Sequence, residues 1–298
     1  MILPERGSTI TSISRPGGAN ILWNPPDADH GPAPDGMPEP GDRSSAEFER
    51  SVFAGGWFPM FPSVGPPGGD ARAWLHGEAP WLRWQVEVVT KDGIELRART
   101  PASGLALTRW IHVSDERVLV RTEALNASGL HRRVSWGEHP CFSRTAFAGG
   151  SVLVAPSLSR SASSADPART RIPPSTRFAW PILSGLDDTL DFSVIPARSD
   201  GREEHVLLTI PSGRAALRAP DLAVEVELEW DAGSMPHALL WQHFRPDDDG
   251  WDVFALEPAS CRARTHAEAD RAGHLVDLPP GAMARWAMSL SIRDVGWG

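Results

Sequence analysis

Four short stretches of the chain bring together side chains that can exchange protons. They contain His76 in "LHGEAPW", His139 in "WGEHPCF", Asp187 and Asp188 in "GLDDTLDF", and Glu257 in "WDVFALEP". A histidine titrates near neutral pH and a carboxylate accepts protons there, so these residue types suit general acid–base catalysis. Each residue also has a structural alternative, because histidines often serve only in packing and an Asp-Asp pair is typical of turns.

Glu257 has the most unusual surroundings of the four. An apolar run from Val253 to Leu256 precedes it, and Pro258 follows it. A carboxylate is costly to bury unless it is paired or hydrogen-bonded, and burial raises its pKa. The pattern therefore predicts either a general base at the mouth of an apolar strand or an acid that turns to solvent where the strand ends.

Strands must position these residues, because period-two alternation dominates the chain. Residues 222–230, "LAVEVELEW", alternate apolar side chains with Ala223 and three glutamates, which predicts one buried and one wet face. Further strands are predicted at residues 82–89, 95–99, 117–125, 132–135, 205–210 and 283–292. "KDG" at residues 91–93 predicts a hairpin turn, and residues 259–272 could hold one short helix. We therefore expect an all-β protein, a large antiparallel β-sandwich.

Two segments rich in proline and glycine interrupt this pattern. Residues 23–43 predict a long surface loop, with a linker between domains as the alternative. Residues 55–69 are also apolar and aromatic, so we expect them to pack down and form the wall of a cleft. A single domain over residues 1–298, with the loop at about 23–43, is the expected organisation.

Composition limits the kinds of partner. The net charge of −9 argues against nucleic acid and anionic membranes, and no apolar run is long enough for a membrane span. The N-terminus lacks a signal-peptide pattern, and Cys141 and Cys261 have no metal-type spacing. We expect free thiols, a cytoplasmic location, no metal and no other cofactor. Most of the 13 tryptophans should be core, while one or two could pack on a sugar.

The four polar stretches, in this order, resemble the galactose mutarotase (aldose 1-epimerase) family. "GGWFPMFPSVGPP" followed by "LHGEAPWLRWQVE" resembles the family's Pro/Gly loop and HG motif. "VLVRTEALNASGLHRRVSWGEHPCFS" resembles its strand pair ending in H-x-Y-F or H-P-x-F, and "GLDDTLDF" and "FALEP" resemble the elements with its sugar-binding aspartate and catalytic glutamate. The similarity runs from about residue 55 to the C-terminus and is nearest to the branch related to hexose-6-phosphate epimerases.

The resemblance implies a β-supersandwich with its site on the concave face of a large antiparallel sheet. Glu257 would be the general base and His139 the general acid, while His76 and Asp187 would bind the sugar. Trp81, on the segment after the HG motif, is a further candidate for sugar binding.

The chain departs from the family pattern after the HG motif. Pro80 stands where many members have an arginine after the HG motif. Arg72 before His76, or Arg83 after it, could take over its contact with the substrate.

The implied reaction is the interconversion of sugar anomers, catalysed by one base and one acid. The partner would be a small sugar, with the chain as a monomer or homodimer. Two alternatives stay open: a sugar-binding or sensing protein without catalysis, and another carbohydrate enzyme such as a lyase or hydrolase. A hydrolase would need two carboxylates about 5–10 Å apart, which Asp187 or Asp188 opposite Glu257 could supply.

Overall fold

Strands form where the sequence alternates, and most of them assemble into two large antiparallel sheets. The computed structural model describes residues 1–28, 30–41, 43–69, 72–114, 116–162, 170–186 and 188–295. The strands are β1 Ile2–Leu3, β2 Thr9–Ile10, β3 Trp57–Met60, β4 Gln85–Thr90, β5 Gly93–Arg99, β6 Leu105–Val113, β7 Arg117–Asn126, β8 Arg132–Val134, β9 Gly137–Ser143, β10 Ser151–Leu153, β11 Leu158–Ala162, β12 Arg177–Phe178, β13 Ile182–Ser184, β14 Thr189–Asp191, β15 Glu203–Thr209, β16 Arg214–Ala219, β17 Val224–Trp230, β18 His237–Arg245, β19 Trp251–Ala259, β20 Val276–Leu278 and β21 Met283–Asp294. The α-helices are α1 Arg43–Ser51, α2 Pro246–Asp249 and α3 His266–Arg271, and 3-10 turns span Ala79–Trp81, Thr145–Phe147 and Pro220–Leu222.

The two sheets face each other. Within the described residues, the front sheet has the order β1-β2-β3-β9-β19-β18-β15-β11-β12, and the back sheet has the order β10-β16-β17-β21-β7-β6-β5-β4. Two small pairs, β13-β14 and β20-β8, lie outside them. The prediction of an all-β antiparallel sandwich is confirmed, and so is the hairpin at residues 91–93, which joins β4 and β5.

Alternation explains the main core, which lies between the sheets. In β17, Val224, Val226, Leu228 and Trp230 are buried, while the glutamates between them are only partly buried. Fully burying one such Val or Leu side chain contributes about 1.5–3 kcal/mol before cavity effects. The wet face that the sequence predicted is present, since Glu229 forms an exposed ion pair there.

A buried ion pair also joins the two sheets. Glu138 of β9 accepts hydrogen bonds from both terminal nitrogens of Arg109 on β6, at 2.7 and 2.9 Å. The indole nitrogens of Trp57 and Trp286 donate to the same carboxylate at 2.7 and 2.8 Å. Glu138 therefore points into the core, so His139, the next residue, points to the opposite face, as strand alternation predicts.

His139 and Glu257 do not lie at strand ends, contrary to the sequence-based expectation. The strand that precedes His139 ends at Val134, and a new strand, β9, begins at Gly137 and runs past it. β19 continues through Pro258, which pairs with Ala238 of the neighbouring strand β18. Both residues thus sit inside paired strands, which constrain them more tightly than strand ends would.

Other predictions have clear outcomes. The short helix expected within residues 259–272 is α3, whereas α1 was not predicted. The predicted strand at residues 82–89 starts later, at Gln85. Cys141 and Cys261 are buried free thiols, as expected. Across the described part of the chain, no helix combines the length and apolarity that crossing a membrane requires.

Candidate active site

The outer face of the front sheet carries a row of chemically useful side chains. On β9 and β19, Cys141 pairs with Ala255 and Gly137 pairs with Ala259. This register sets His139 and Glu257 opposite each other on the outer face. On the next strand, β18, Leu239 is the pairing partner of Glu257.

His139 and Glu257 form a close pair on the floor of this face. Nε2 of His139 lies 3.4 Å from Oε1 of Glu257, and each residue is only 3% exposed. The Phe58 ring stacks on the imidazole at 4.6 Å between centroids. The Cys141 sulfur lies 3.3 Å from Nδ1 of the same ring. These contacts hold the imidazole in place with Nε2 directed at the carboxyl group.

Burial shifts both pKa values of the pair in the direction of the neutral forms. It raises the pKa of Glu257 well above its ordinary value, a shift that the charge of Arg264 opposes. It lowers the pKa of His139 to about 3. Burial therefore favours one proton in the pair, held on the carboxyl group, when the site holds no sugar. The sequence-based expectation of an ionised Glu257 beside a protonated His139 requires an ion pair that this burial opposes.

His76 stands beside the pair in a constrained backbone conformation. Its φ of 59° is left-handed, a region that costs most residues about 1–2 kcal/mol. Its N–H donates to the carbonyl of Gly65 at 3.0 Å, and its own carbonyl accepts from Phe61 at 3.1 Å. Its ring meets that of His139 edge-on at 4.8 Å between centroids. Nδ1 of His76 is buried without a hydrogen-bond partner.

These residues line a cavity of about 450 Å³, which three elements enclose. The front sheet forms its floor, α1 and Phe53 form one side, and Gly65, Pro66, Leu75 and His76 form another. Trp241 and Trp251 add aromatic faces that suit the C–H face of a sugar. Among the described residues, no group of three or more His, Cys, Asp or Glu side chains is arranged to hold a metal ion.

Several lining residues were not predicted from the sequence. They are Glu203, His205, Trp241, His243, Trp251 and Arg264. Burial lowers the pKa of His205 well below its ordinary value, which favours a neutral imidazole. His205 begins the predicted strand at residues 205–210, so a polar residue on an otherwise apolar strand was a usable signal.

Arg264 adds a positive charge to the cavity. Its Nε is buried and has no hydrogen-bond partner. Burial lowers the pKa of this guanidinium, while the nearby carboxylates of Glu203, Glu268 and Glu257 act in the opposite direction. Glu203 and Glu268 balance its charge, so the cavity is not strongly positive.

The structure brings together only part of the predicted site. His76, His139 and Glu257 converge in the cavity, whereas Asp187 lies outside the described residues. Its neighbour Asp188 is exposed and pairs with Arg171 at 3.5 Å.

The three other predicted contacts lie away from the cavity. Arg83 donates to the carbonyl of Ala33, so it holds a loop and not a ligand. Arg72 is exposed, 3.9 Å from Glu39, and lines a separate surface cavity. Trp81 is buried and packs on Phe48 at 5.7 Å between ring centroids. The reason is the same for Arg72 and Arg83. Closeness to the HG motif in the sequence does not set the direction of a long side chain.

Solved structures of other proteins share this fold. One is a protein from Escherichia coli K12 provisionally described as an aldose 1-epimerase, with 17% identity, a TM-score of 0.69, and coverage of 98% of this chain and 94% of that one. A galactose mutarotase-like protein from Lactobacillus casei has 16% identity and a TM-score of 0.65, with coverage of 97% and 95%. Another from Clostridium acetobutylicum has 13% identity and a TM-score of 0.66, with coverage of 99% and 92%. At these identities the similarity establishes the fold, which is that of galactose mutarotase-like proteins.

Sequence comparison is less informative. The model of the family described as "Domain of unknown function (DUF4432)" matches residues 186–292. This range includes Glu257 and Arg264 but neither His76 nor His139. No curated protein matches the sequence.

Proposed function

We propose that this protein is a sugar isomerase of the aldose 1-epimerase type, which interconverts the α and β anomers of an aldose. The observation that carries the proposal is the 3.4 Å approach of His139 Nε2 to Glu257 Oε1 on the floor of a cavity with aromatic walls. Proton transfer needs a donor and an acceptor within hydrogen-bond reach of one substrate, and this pair has that spacing. The fold supports the proposal but does not carry it, because one fold serves many functions.

The chemistry of mutarotation suits a pair that holds a single proton. The anomeric hydroxyl loses its proton while the ring oxygen gains one, so the C1–O5 bond breaks and an open-chain aldehyde forms. Rotation about C1–C2 and ring closure on the other face reverse both transfers. One proton in the pair lets one member accept while the other donates, and neither a metal nor a nucleotide is required.

We assign Glu257 as the base and His139 as the acid in the sugar-bound site. In the empty site, burial favours the proton on Glu257. Sugar hydroxyls that donate to the carboxylate, together with the charge of Arg264, favour transfer of that proton to His139 across 3.4 Å. His76, which lines the cavity beside the pair, would bind a sugar hydroxyl.

Anomer exchange followed by NMR or polarimetry tests the proposal. Starting from pure α-D-glucose and α-D-galactose, we expect the protein to accelerate equilibration. Glu257→Gln and His139→Asn should each lower kcat by about 10²–10⁴-fold, the usual contribution of a general acid or base. His112→Asn, an exposed position on β6 of the back sheet, is the matched control. Full activity of Glu257→Gln would contradict the proposed mechanism.

The alternatives differ in what this assay would show. A sugar-binding or sensing protein predicts saturable binding of a sugar without faster anomer exchange. A glycoside hydrolase needs a second carboxyl group across the scissile bond, which Glu203 or Glu49 of the cavity lining would have to supply, and it predicts cleavage of a glycoside. The group directly beside Glu257 is a histidine, which favours proton exchange over hydrolysis.

A further inference from the structure

The imidazole of His139 has a close neighbour that the proposed reaction does not use. Cys141 lies two residues further along β9, and its Sγ is 3.3 Å from Nδ1 of His139. Residues i and i+2 of a strand share a face, so both side chains lie on the outer face of the sheet. Within the described residues, no other side chain is in hydrogen-bond distance of Nδ1. The thiol therefore contacts the ring nitrogen that does not face Glu257.

Backbone contacts hold Cys141 in place. Its N–H donates to the carbonyl group of Gly56 at 2.7 Å, and its own carbonyl group accepts from the N–H of Trp23 at 2.9 Å. It also pairs with Ala255 of β19. Its side chain packs in an apolar cluster and is 0% exposed. Sγ is therefore held beside the imidazole by the same strand that carries His139.

The thiol is placed to act on the imidazole and not on a ligand. His139 and Glu257 line the cavity, whereas Cys141 does not. Burial, together with the charge of Glu257, raises the pKa of the Cys141 thiol well above its ordinary value. The nucleophile in cysteine chemistry is the thiolate, so a neutral and enclosed thiol is unsuited to attack a substrate. Any effect of Cys141 on the reaction must pass through His139.

The proposed function needs one particular tautomer of His139. In the empty site, burial favours the proton of the pair on Glu257, and this proton can cross the 3.4 Å to Nε2 only if Nε2 has a free lone pair. A neutral imidazole carries one N–H, which must then be on Nδ1. A thiol is a weak donor and a weak acceptor, and opposite an Nδ1–H group it acts as the acceptor.

The backbone favours the same tautomer. A hydrogen bond between the imidazole and the backbone of His139 itself raises its pKa, against the larger effect of burial. A ring N–H that donates to a carbonyl group has this effect, and Nδ1 is the ring nitrogen nearer to the backbone. The carbonyl group stays in every variant of Cys141, so such a variant tests whether the sulfur is needed as well.

We propose that Cys141 is a positioning residue of this site: its sulfur accepts a hydrogen bond from Nδ1–H of His139 and keeps Nε2 free to exchange a proton with Glu257. The inference rests on the proposed function and deepens it by naming the residue that sets the tautomer of the acid. The hydrogen bond made by one ring nitrogen of a histidine sets which nitrogen carries the proton. Because a thiol is a weak acceptor, it sets the tautomer without strongly stabilising the imidazolium.

Nitrogen-15 NMR of the wild-type protein tests the tautomer directly. In the sugar-free protein at pH 7, the chemical shift of a ring nitrogen shows whether it is protonated, and His139→Asn identifies the His139 signals by their loss. We expect Nδ1 to be protonated and Nε2 to be unprotonated. Any pattern in which Nε2 carries the proton overturns the proposal, because the thiol would then not be the partner that keeps Nε2 free.

Variants of the two buried cysteines separate positioning from packing. Cys141→Ala and Cys141→Val remove the acceptor, so we expect the proton to be shared between both nitrogens and kcat to fall by about 10–100-fold with little change in KM. A loss of this size is usual when a metal-binding histidine loses its orienting partner. Cys141→Ser should restore the wild-type tautomer and most of the activity, since a hydroxyl also accepts. Cys261→Ala is the matched control, because Cys261 is also a buried free thiol but bonds Ser135.

Two results with the variants would overturn the proposal. One is an unchanged His139 tautomer in Cys141→Ala or Cys141→Val, with circular dichroism showing that the variant is folded. The other, in an active protein, is a changed tautomer without a fall in kcat. If neither variant folds, the wild-type spectrum decides.

Failure of the proposed function is distinguishable from failure of this inference. If no aldose shows faster anomer exchange, the isomerase proposal fails, whereas the spectra still decide whether Cys141 sets the tautomer of His139. If exchange is fast but the tautomer does not depend on Cys141, only the positioning role fails.

Discussion

Replacing Glu138 with glutamine should strongly destabilise the fold, because it breaks the buried ion pair between the sheets. The carboxylate receives two hydrogen bonds from Arg109 and one each from Trp57 and Trp286. The ion-paired side chains of Arg109 and Glu138 are 0% and 1% exposed. Glutamine keeps the shape but removes the charge, and its amide group turns a donor towards groups that also donate.

The size of the effect follows from burial. Removing one partner of a buried ion pair leaves the other charge uncompensated, which costs about 3–5 kcal/mol. With an unfolding entropy of about 2.1 cal/mol/K per residue, a chain of 298 residues should lose about 5–8 °C in Tm. An exposed ion pair is worth far less, about 0–1 kcal/mol.

Urea unfolding and thermal melts at pH 7 measure this difference. Glu229→Gln is the matched control, because Glu229 also pairs with arginines but on the wet face of the back sheet. If Glu138→Gln lowers the free energy of unfolding no more than Glu229→Gln does, the buried pair does not stabilise the contact between the sheets, and the reasoning is wrong.

Two further predictions concern the residues around the cavity. Burial lowers the pKa values of His76, His139 and His205, the second to about 3, so below about pH 6.5 the unfolded chain binds protons that the folded chain does not. The free energy of unfolding should therefore decrease as the pH is lowered, by up to about 1.4 kcal/mol per pH unit for each histidine. Urea melts between pH 7 and 5 should show a smaller decrease for His205→Gln than for the wild-type protein. Gly77→Ala should destabilise by about 1–3 kcal/mol in thermal melts, because its Cβ would lie 2.4 Å from the Phe61 carbonyl group at a φ of +76°. Gly36→Ala, at a φ of +78° with open space around it, is its control, and equal losses would show that crowding at Gly77 is unimportant.

Local pattern predicted the direction of several side chains correctly. Alternation assigned the buried and wet faces of β17, and it placed Glu138 and His139 on opposite faces of one strand. The reason is that successive side chains of a strand point to opposite faces whatever the strand pairs with. The same pattern missed where strands begin and end, as His139 shows by lying inside β9.

The resemblance to mutarotases selected His76, His139 and Glu257, but it could not show that they meet. His139 and Glu257 are 118 residues apart (257 − 139), and only the pairing of β9 with β19 makes them neighbours. A shift of that register by one residue would turn one of the two to the other face. Proximity therefore depended on long-range pairing, which no local pattern encodes.

The α1 side of the cavity also depended on tertiary contacts. A nine-residue helix such as α1 is marginal in isolation, and Phe48 stabilises it by packing against the site. Arg6 and Arg83 bind backbone carbonyls of a distant loop, which every residue offers and which therefore leave no mark in the sequence. The sequence by itself determined the all-β class, the alternating faces and the candidate acid and base, because these follow from neighbours along the chain. The tertiary structure decided which of them share a cavity and what closes it, because strand register and arginine contacts join residues far apart in sequence.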